Sequence, residues 1–376
     1  MAESYPSLAG VPQSVRIRWY RSPVDREVLK GLVDRSDLQG ALQAVGHLAL
    51  AAVTGTLVYL CYVHQVWVGF AAALFCHGTV CSFFMLAGHE LGHGTVFRTK
   101  WLNRLFLVVY SLLSWHNYHD FAVSHTYHHR YTLHPEADRE VELPKTPSLR
   151  ALYLLQLFTI NLFGGFESQP LLPAIRLNVR NALRRPFLHQ WPEDLYEAHP
   201  EYRDKSVRFS RITLLFHAAV LAVAIVSGYW LIGVLVSCSF CVANWLRYLV
   251  GVPMHCGLRD NVADFRKCVR TIRLDPISEF LYWRMNWHME HHMYAGVPCY
   301  HLSKLHAAIK SDVPKCRSLL GAWREMRAVW KRQQVEPGYQ FDTPLPSGAG
   351  LPGDAARQEA DELGSSIADL ATHEAR

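Results

Sequence analysis

The sequence predicts an all-α integral membrane protein with four transmembrane helices, arranged as two hairpins and capped by helices on the cytoplasmic side. Three observations lead to this fold class: long uncharged apolar blocks, basic residues that flank these blocks, and three dense histidine clusters. Half of the 376 residues are apolar, and they are concentrated in the blocks instead of being spread evenly.

The first hairpin is predicted from two blocks, 41–63 and 66–88, that contain no Asp, Glu, Lys or Arg. About 20 apolar residues suffice to cross the hydrocarbon of a bilayer, so each block predicts a transmembrane helix. Only His64 and Gln65 separate the two blocks. Such a short link predicts a tight turn.

The second hairpin is predicted from residues 212–228 and 229–250, where only Asn244 and Arg247 interrupt the apolar run near its end. An arginine at that position can reach the interface with its long side chain. Two shorter apolar stretches, 101–115 and 151–166, are bounded by charge and predict helices that lie in the interface. The alternative, in which both stretches cross, would place the second histidine cluster on the opposite side of the membrane from the first.

Basic residues fix the orientation, because cytoplasmic segments carry an excess of Lys and Arg. They precede the first hairpin and follow both hairpins: Arg16, Arg18, Arg21, Lys30, Arg35, Arg98, Lys100, Arg104, Arg259, Arg266, Lys267, Arg270 and Arg273. A multi-pass protein is expected, with both termini and the histidine clusters on the cytoplasmic side. The net charge of +6 fits this asymmetry, and without an aromatic and basic recognition module no nucleic acid partner is expected.

Three regions are predicted along the chain. Residues 1–40 form a cytoplasmic N-terminal segment without the pattern of a signal peptide, and residues 41–334 form the membrane domain. Residues 335–376 are rich in Pro, Gly, Ala, Asp and Glu and predict a disordered tail. The nine cysteines are scattered and predict no disulfide framework.

The histidine clusters share spacings that place imidazoles on one face of a helix, at i, i+3 and i+4. Their members, with one further histidine that follows the fourth predicted helix, are His89, His93, His125, His128, His129, His288, His291, His292 and His255. Nine imidazoles exceed what one ion accepts, so two metal ions are implied. Imidazole ligands suit iron, copper, nickel or zinc, and the ligand type alone does not select among them.

Two other classes fit part of the pattern. His89, Glu90 and His93 satisfy HExxH, the signature of a zinc protease in which the glutamate is the general base. That interpretation leaves both HxxHH clusters unexplained. A histidine-lined metal transporter would need ligands near the bilayer midplane, whereas these clusters lie at or beyond the predicted helix ends.

The motifs GHELGHGT at 88–95, SHTYHHRYT at 124–132 and NWHMEHHM at 286–293 resemble those of the integral-membrane fatty acid desaturase superfamily. The resemblance covers roughly residues 40–310, and the additional histidine of the family corresponds to His255. One position departs from some members, which hold an asparagine four residues before that histidine where this chain has Gly251.

The resemblance implies a non-haem di-iron oxidoreductase, with two iron ions held by the nine histidines and O2 as co-substrate. It would desaturate a fatty acyl or lipid alkyl chain within membrane lipids; hydroxylation on the same scaffold is the alternative. Glu90, Asp138 and Glu290 are candidates to orient the imidazoles. Because the chain has no haem or ferredoxin motif, a ferredoxin or cytochrome b5 type electron donor is expected, with the arginines of 176–185 as contacts either for it or for lipid headgroups.

Overall fold

The computed structural model describes residues 8, 11, 17–141, 150–164, 170–187 and 189–351. Within these ranges the chain is mostly helical, as predicted. The α-helices are α1 (Arg26–Leu32), α2 (Asp37–Val63), α3 (Trp67–Cys81), α4 (Phe84–Gly92), α5 (Lys100–Leu113), α6 (Tyr118–Tyr131), α7 (Ala151–Phe158), α8 (Leu171–Ala182), α9 (Gln190–Ala198), α10 (Pro200–Ser227), α11 (Trp245–Gly251), α12 (Phe265–Cys268), α13 (Pro276–Leu281), α14 (His288–Met293), α15 (Leu302–Ile309) and α16 (Leu319–Gln333). Two short strands, β1 (Ile272–Arg273) and β2 (Arg317–Ser318), pair in parallel.

Three helical stretches are long and apolar enough to cross a membrane: Asp37–Val63, Trp67–Gly92 and Pro200–Ser227. The first two correspond to the predicted hairpin, and the turn between them contains Gln65 with a φ of 59°. α2 turns apolar side chains outward along its length, with Leu42 65% exposed. An outward apolar face of this kind suits contact with lipid.

α10 begins at Pro200, earlier than the predicted start at residue 212. Proline fits the first turn of a helix because its missing N–H has no intrahelical partner there. The polar first turns of α10 extend beyond the apolar block and pack against α6, α8 and α9. The helix ends at Gly228, whose φ of 74° gives the left-handed conformation common at helix C-termini.

Residues 229–250 do not form the single helix predicted for a fourth crossing. A π-helical turn, Gly233–Cys238, leads into a 3₁₀ turn, Ser239–Cys241, before α11 begins. The backbone is extended at Val242, whose carbonyl oxygen lies 2.3 Å from the position of a Cβ on Gly78. The absence of a side chain at Gly78 therefore lets α3 approach the broken segment closely.

Neighbouring protein groups satisfy the backbone that this break frees. Ala243 N donates to Thr159 O over 2.7 Å, and Asn161 N donates to Cys241 O over 2.8 Å. Thr79 Oγ1 donates to Ala243 O over 3.0 Å. Non-helical backbone at membrane depth is tolerated where protein supplies such partners. The apolar composition of the block gives no sign of them, which is why the sequence predicted one continuous helix.

The two shorter apolar stretches form short helices. α5 has 14 residues and is about 21 Å long, less than the roughly 30 Å of bilayer hydrocarbon. α7 has 8 residues. Both lengths agree with the predicted placement in the interface; residues 165–166 of the second stretch lie outside the described ranges.

One hydrophobic core connects the apolar helices to two of the histidine-bearing segments. It includes Leu86 in α4, Tyr110 in α5 and Met289 in α14. A separate cluster packs α6 against α9 through Tyr127 and Trp191. The three histidine clusters are thus carried by elements that pack together within one body.

Residues 335–351 are held against the protein, although the sequence predicted a disordered tail from this point. Lys267 Nζ donates to Thr343 O, and Arg266 Nη2 donates to Gly350 O, each over 2.8 Å. The contacts are made by backbone carbonyls, which every residue carries. The composition of the segment, with its few large apolar residues, therefore could not predict them. The rest of the predicted tail, residues 352–376, lies outside the described ranges, as do 1–7, 9–10 and 12–16 of the N-terminal segment.

Candidate metal centre

α4 carries the first histidine cluster at its C-terminal end. His89 and His93, one helical turn apart, are each less than a tenth exposed. The Nε2 atoms of both rings are buried and find no hydrogen-bond partner within the described ranges. A buried polar atom without a partner is costly, so these two nitrogens indicate a missing ligand.

α6 carries the second cluster on two neighbouring rows of its surface. Asn117 caps the helix by accepting a hydrogen bond from His119 N over 3.1 Å. Further along, His125 Nε2 and His129 Nε2 are 3.0 Å apart. His128 points to a different set of neighbours, because it is turned about 100° around the helix axis from His129.

α14 is short, with three of its six residues being histidine. Its His291 Nε2 lies 3.1 Å from His129 Nε2 of α6. Its other two rings face each other, with His288 Nε2 and His292 Nε2 3.3 Å apart. α14 therefore places His291 beside His129 of α6 and places His288 and His292 beside each other.

His255 follows the 3₁₀ turn Val252–Met254 and joins the pair of His288 and His292. Its Nε2 lies 3.0 Å from His288 Nε2, and its Nδ1 lies 3.0 Å from Cys268 O.

The structure brings all nine predicted ligands together, divided into two groups in which the candidate ligand atoms lie within 4.8 Å of one another. We name them the five-histidine group and the four-histidine group. The five-histidine group is His89, His93, His125, His129 and His291, and the four-histidine group is His128, His255, His288 and His292. Each of the second and third clusters contributes to both groups, so the groups are adjacent.

Hydrogen bonds alone cannot supply partners for all the Nε2 atoms of the four-histidine group, because too few protons lie between them. His255 Nδ1 must donate to Cys268 O, because a carbonyl only accepts, so its Nε2 holds a lone pair. Thr132 Oγ1 donates to His128 O over 2.6 Å and so accepts from His292 Nδ1, which leaves His292 Nε2 with a lone pair as well. The lone pairs of His255 and His292 both face His288 Nε2, whose single proton can form a hydrogen bond with only one of them. A cation satisfies all three nitrogens.

The spacing of these nitrogens also fits a metal ion. Adjacent Nε2 atoms in the two groups are 3.0–3.3 Å apart. Ligands that bond an ion at about 2.1 Å and at right angles to each other are about 3.0 Å apart. The donor set, its burial and its unpartnered nitrogens therefore fit two metal ions.

Burial lowers the pKa of most of these imidazoles below the ordinary value of 6.5, and neighbouring imidazoles lower it further. The pKa of His93 and that of His255 are lowered to about 3. His128 is the exception: burial favours its neutral form, but the Asp138 carboxylate outweighs burial and raises its pKa. A neutral imidazole presents the lone pair that a metal binds.

Carboxylates contact the outer nitrogens of several rings. Glu90 Oε1 lies 2.9 Å from His89 Nδ1, and Asp138 Oδ2 lies 2.9 Å from His128 Nδ1, as the sequence suggested. Such partners fix the orientation of a metal-binding imidazole and raise its basicity. Glu290, the third candidate, instead contacts His306 Nδ1 over 2.6 Å.

Glu140 is a site residue that the sequence interpretation missed. Its Oε1 lies 2.7 Å from His125 Nδ1, and its Oε2 accepts from Ser124 Oγ over 2.6 Å. Glu140 is far along the chain from His125, in a loop of irregular structure. No helical spacing relates the two residues, so only the folded chain reveals the contact.

The HExxH interpretation does not fit this arrangement. Glu90 is bonded to the imidazole of His89 and is 1% exposed, so it is occupied with orienting a ligand. Both histidines of the motif belong to the five-histidine group together with rings from α6 and α14. A protease site would leave those rings without a role.

Comparison with known proteins agrees with this geometry. The family model for fatty acid desaturase matches residues 29–321, which is most of the chain. The chain belongs to the fatty acid desaturase family. This membership confirms the resemblance seen in the histidine motifs and supports an oxidoreductase function.

A relative of this chain comes from Picosynechococcus sp. (strain ATCC 27264 / PCC 7002 / PR-6) and is named sn-1 oleoyl-lipid 12-desaturase. It is 24% identical over 282 residues, which cover 70% of this chain and 75% of the relative. The similarity therefore extends over most of both proteins. The family and the three apolar helices together support a membrane protein.

Proposed function

We propose that this desaturase is a membrane-bound di-iron enzyme that uses O2 and two external electrons to introduce a double bond into a fatty acyl or lipid alkyl chain. The observation that carries the proposal is the division of nine buried imidazoles into a group of five and a group of four, in a chain of the desaturase family.

The nine histidines would hold the two ions, one in each group. Iron would supply the redox chemistry that an unactivated C–H bond requires, because such a bond has no acidic proton for a general base to remove. Imidazole ligands are compatible with iron. The low pKa of most of the rings keeps them neutral and ready to bind.

The chain itself orients and shields the site. Glu90, Asp138 and Glu140 hold the outer nitrogens of three rings, and the Cys268 carbonyl holds that of His255. These contacts leave the Nε2 atoms of the four rings available to hold the ions. Burial of the rings excludes bulk water, which strengthens every electrostatic interaction inside the site.

For the topology we propose four crossings, with both termini and both histidine groups on the cytoplasmic side. α2, α3 with α4, and α10 supply three crossings, and the broken segment 229–250 supplies the fourth. The basic residues that flank the apolar blocks support this orientation. The short lengths of α5 and α7 support it too, because neither helix is long enough to move α6 across the membrane.

The proposed partners are a lipid or fatty acyl substrate, the surrounding lipids and a ferredoxin or cytochrome b5 type electron donor. The name of the relative, an oleoyl-lipid desaturase, favours an acyl chain attached to a lipid. Of the arginines in 176–185, Arg184 pairs with Asp204, and Arg180 donates to Pro186 O over 2.8 Å. These two have internal partners, which makes them weaker candidates for the donor surface than the sequence suggested.

Expression in a host of defined lipid composition, followed by mass analysis of its acyl chains, tests the proposed reaction. The expected product has lost two hydrogens relative to its parent chain. Gain of one oxygen would establish the hydroxylase alternative and contradict the proposal. Metal analysis of the purified protein is expected to give two iron ions per chain; stoichiometric zinc without O2-dependent turnover would contradict the di-iron assignment.

A further inference from the structure

α2 contains a buried histidine that belongs to neither histidine group. His47 is 0% exposed, although the helix that carries it turns much of its surface outward. Its ring is surrounded by those of Phe84, Tyr110, Phe280 and Trp283, with centroids 5.1–6.3 Å away. In this apolar environment both ring nitrogens need protein partners, because no water replaces a lost hydrogen bond.

The partners of His47 fix its tautomer. Trp283 Nε1 donates to His47 Nδ1 over 3.0 Å. An indole N–H only donates, so Nδ1 holds a lone pair and Nε2 holds the proton. His47 Nε2 accordingly donates to Val80 O, also over 3.0 Å. The imidazole is therefore a neutral link between two distant parts of the chain.

The Val80 end of this link lies at the break between α3 and α4. In a continuous helix Val80 O would accept from the N–H of Phe84, but α3 ends at Cys81 and α4 begins at Phe84. Phe83 N also reaches this carbonyl, over a long 3.4 Å. His47 thus supplies the carbonyl with a closer partner than Phe83 does, at the point where α4 starts.

The Trp283 end lies in a turn between α13 and α14. Trp283 and Arg284 both have positive φ, 52° and 58°, a conformation that persists in non-glycine residues only where surrounding contacts hold it. Gln43, one turn before His47 on α2, holds the same turn: its Nε2 donates to Phe280 O over 2.9 Å, and its Oε1 accepts from Arg284.

The two elements that this link connects, α4 and α14, both contribute histidines to the five-histidine group. α4 brings His89 and His93 to it, and α14 brings His291, whose ring centroid lies 4.9 Å and 4.6 Å from theirs. We propose that His47 is a positioning residue for this group: it ties the start of α4 to the turn before α14 and so holds His291 against His89 and His93. This inference rests on the proposed function in one respect, the presence of two metal ions.

The test compares three variants of the full chain, purified in detergent and loaded with Co²⁺. His47→Phe keeps the ring shape but removes both hydrogen bonds. His47→Gln restores a donor for Val80 O and an acceptor for Trp283. His77→Phe is the matched control, because His77 is also a buried histidine of the first hairpin, but it contacts Thr54 Oγ1 over 2.9 Å and Leu235 O over 3.3 Å instead of linking α4 to α14.

We expect His47→Phe to weaken Co²⁺ binding at one of the two sites, by about tenfold to a hundredfold, as for other residues that orient metal ligands. The absorption of the five-histidine site should change, whereas that of the four-histidine site should not. His47→Gln should recover most of the affinity, and His77→Phe should bind both ions as the original protein does.

Two unchanged sites in His47→Phe, or equal losses in His47→Phe and His77→Phe, would overturn the proposal. Trp283→Phe removes only the indole donor and should give a smaller loss at the same site; it replaces His47→Phe if that variant is not recovered folded. An original protein that binds fewer than two ions would contradict the proposed function instead, so the two failures are distinguishable.

Discussion

At the scale of single residues, the imidazoles differ in what holds their outer nitrogens. His125 and His128 contact the carboxylates of Glu140 and Asp138, whereas His255 contacts a backbone carbonyl. A carboxylate raises the basicity of the ring more than a neutral acceptor does, because it stabilises positive charge on the imidazole. Each group thus contains at least one ring that would bind an ion more strongly than a ring held by a neutral acceptor.

Glu140→Gln tests this effect in the five-histidine group. The amide keeps the size of the side chain and a contact to His125 but loses the negative charge. We expect affinity for the ion of this group to fall by about tenfold to a hundredfold. Metal titration of the purified variant measures the change; Glu136→Gln, an exposed glutamate of the same loop, is the control. Equal affinities in the two variants would show that Glu140 does not support the site.

The division into two groups predicts that single histidine variants lose one ion each. His291→Ala should empty the five-histidine group, and His288→Ala, which removes the ring shared by two neighbours, should empty the four-histidine group. Iron analysis should give about one ion per chain in either variant, and turnover should be lost in both. Retention of two ions by His288→Ala would remove His288 from the ligand set.

Sequence spacing predicted eight of the nine candidate ligands, because each cluster lies within one or two helical turns, where i, i+3 and i+4 positions face together. His255 was predicted from its position after the fourth apolar block. It did not predict how the clusters divide. His128 and His129 are adjacent in sequence but enter different groups, because successive helical residues point about 100° apart. Glu140 was missed for a related reason: contacts between a helix and an irregular loop leave no periodic signal.

At the scale of elements, α6 is held in place by buried polar contacts with α10, which is held in turn by α8. Asn117 at its N-terminus donates to Ser206 O of α10 over 2.9 Å and to Ser210 Oγ over 2.9 Å. Asn181 of α8 donates to Ser210 Oγ over 3.0 Å. These contacts fix the direction of the helix that presents the second histidine cluster.

Asp120, in the first turn of α6, makes the stability of the folded protein depend on pH. Burial raises its pKa to about 6, although Ser206 and Tyr196 donate hydrogen bonds to it. The folded protein therefore keeps a proton that the unfolded chain releases, and this contribution to stability is present below about pH 4 and lost as the pH rises to about 6.

Asp120→Asn should remove that dependence, because the amide cannot ionise but still accepts hydrogen bonds. The free energy of unfolding of the original protein is expected to fall relative to the variant by on the order of 1 kcal/mol between about pH 4 and 6.5. Thermal unfolding in detergent at several pH values measures the difference. A melting temperature difference that does not vary with pH would contradict the shifted pKa.

Helix existence was well predicted from the apolar blocks, but helix continuity was not. The segment 229–250 is as apolar as a transmembrane helix, yet its backbone leaves the helix at Val242 because Thr159, Asn161 and Thr79 supply hydrogen bonds there. Two of those partners, Thr159 and Asn161, come from the stretch after α7, 84 and 80 residues before the groups that they contact. A hydropathy pattern reports composition along the chain and carries no information about such distant partners.

At the scale of the whole molecule, the three histidine clusters can meet only if they lie on one side of the membrane. Their proximity in the structure supports the interpretation in which α5 and α7 stay in the interface. In the proposed topology, the turn between α2 and α3 must then lie on the side of the membrane opposite to the histidine clusters.

A tag inserted at Gln65 should be accessible from outside the cell, whereas tags at either terminus should be accessible only after the membrane is made permeable. A tag in the exposed 135–136 region, next to the second cluster, should behave like the terminal tags. Labelling of intact and permeabilised cells makes the comparison. An external 135–136 tag together with internal termini would rule out the four-crossing arrangement.

The division of ligands between the two groups also has a consequence for when the chain can complete the proposed metal sites during synthesis. Four of the five histidines in the five-histidine group are complete by residue 129, so a ribosome has made them before it begins the second hairpin. Three of the four in the other group lie beyond residue 250. A half-made chain would therefore present four of the five ligands of the first proposed site, but both sites are complete only when α14, which carries His291 and His292, has left the ribosome.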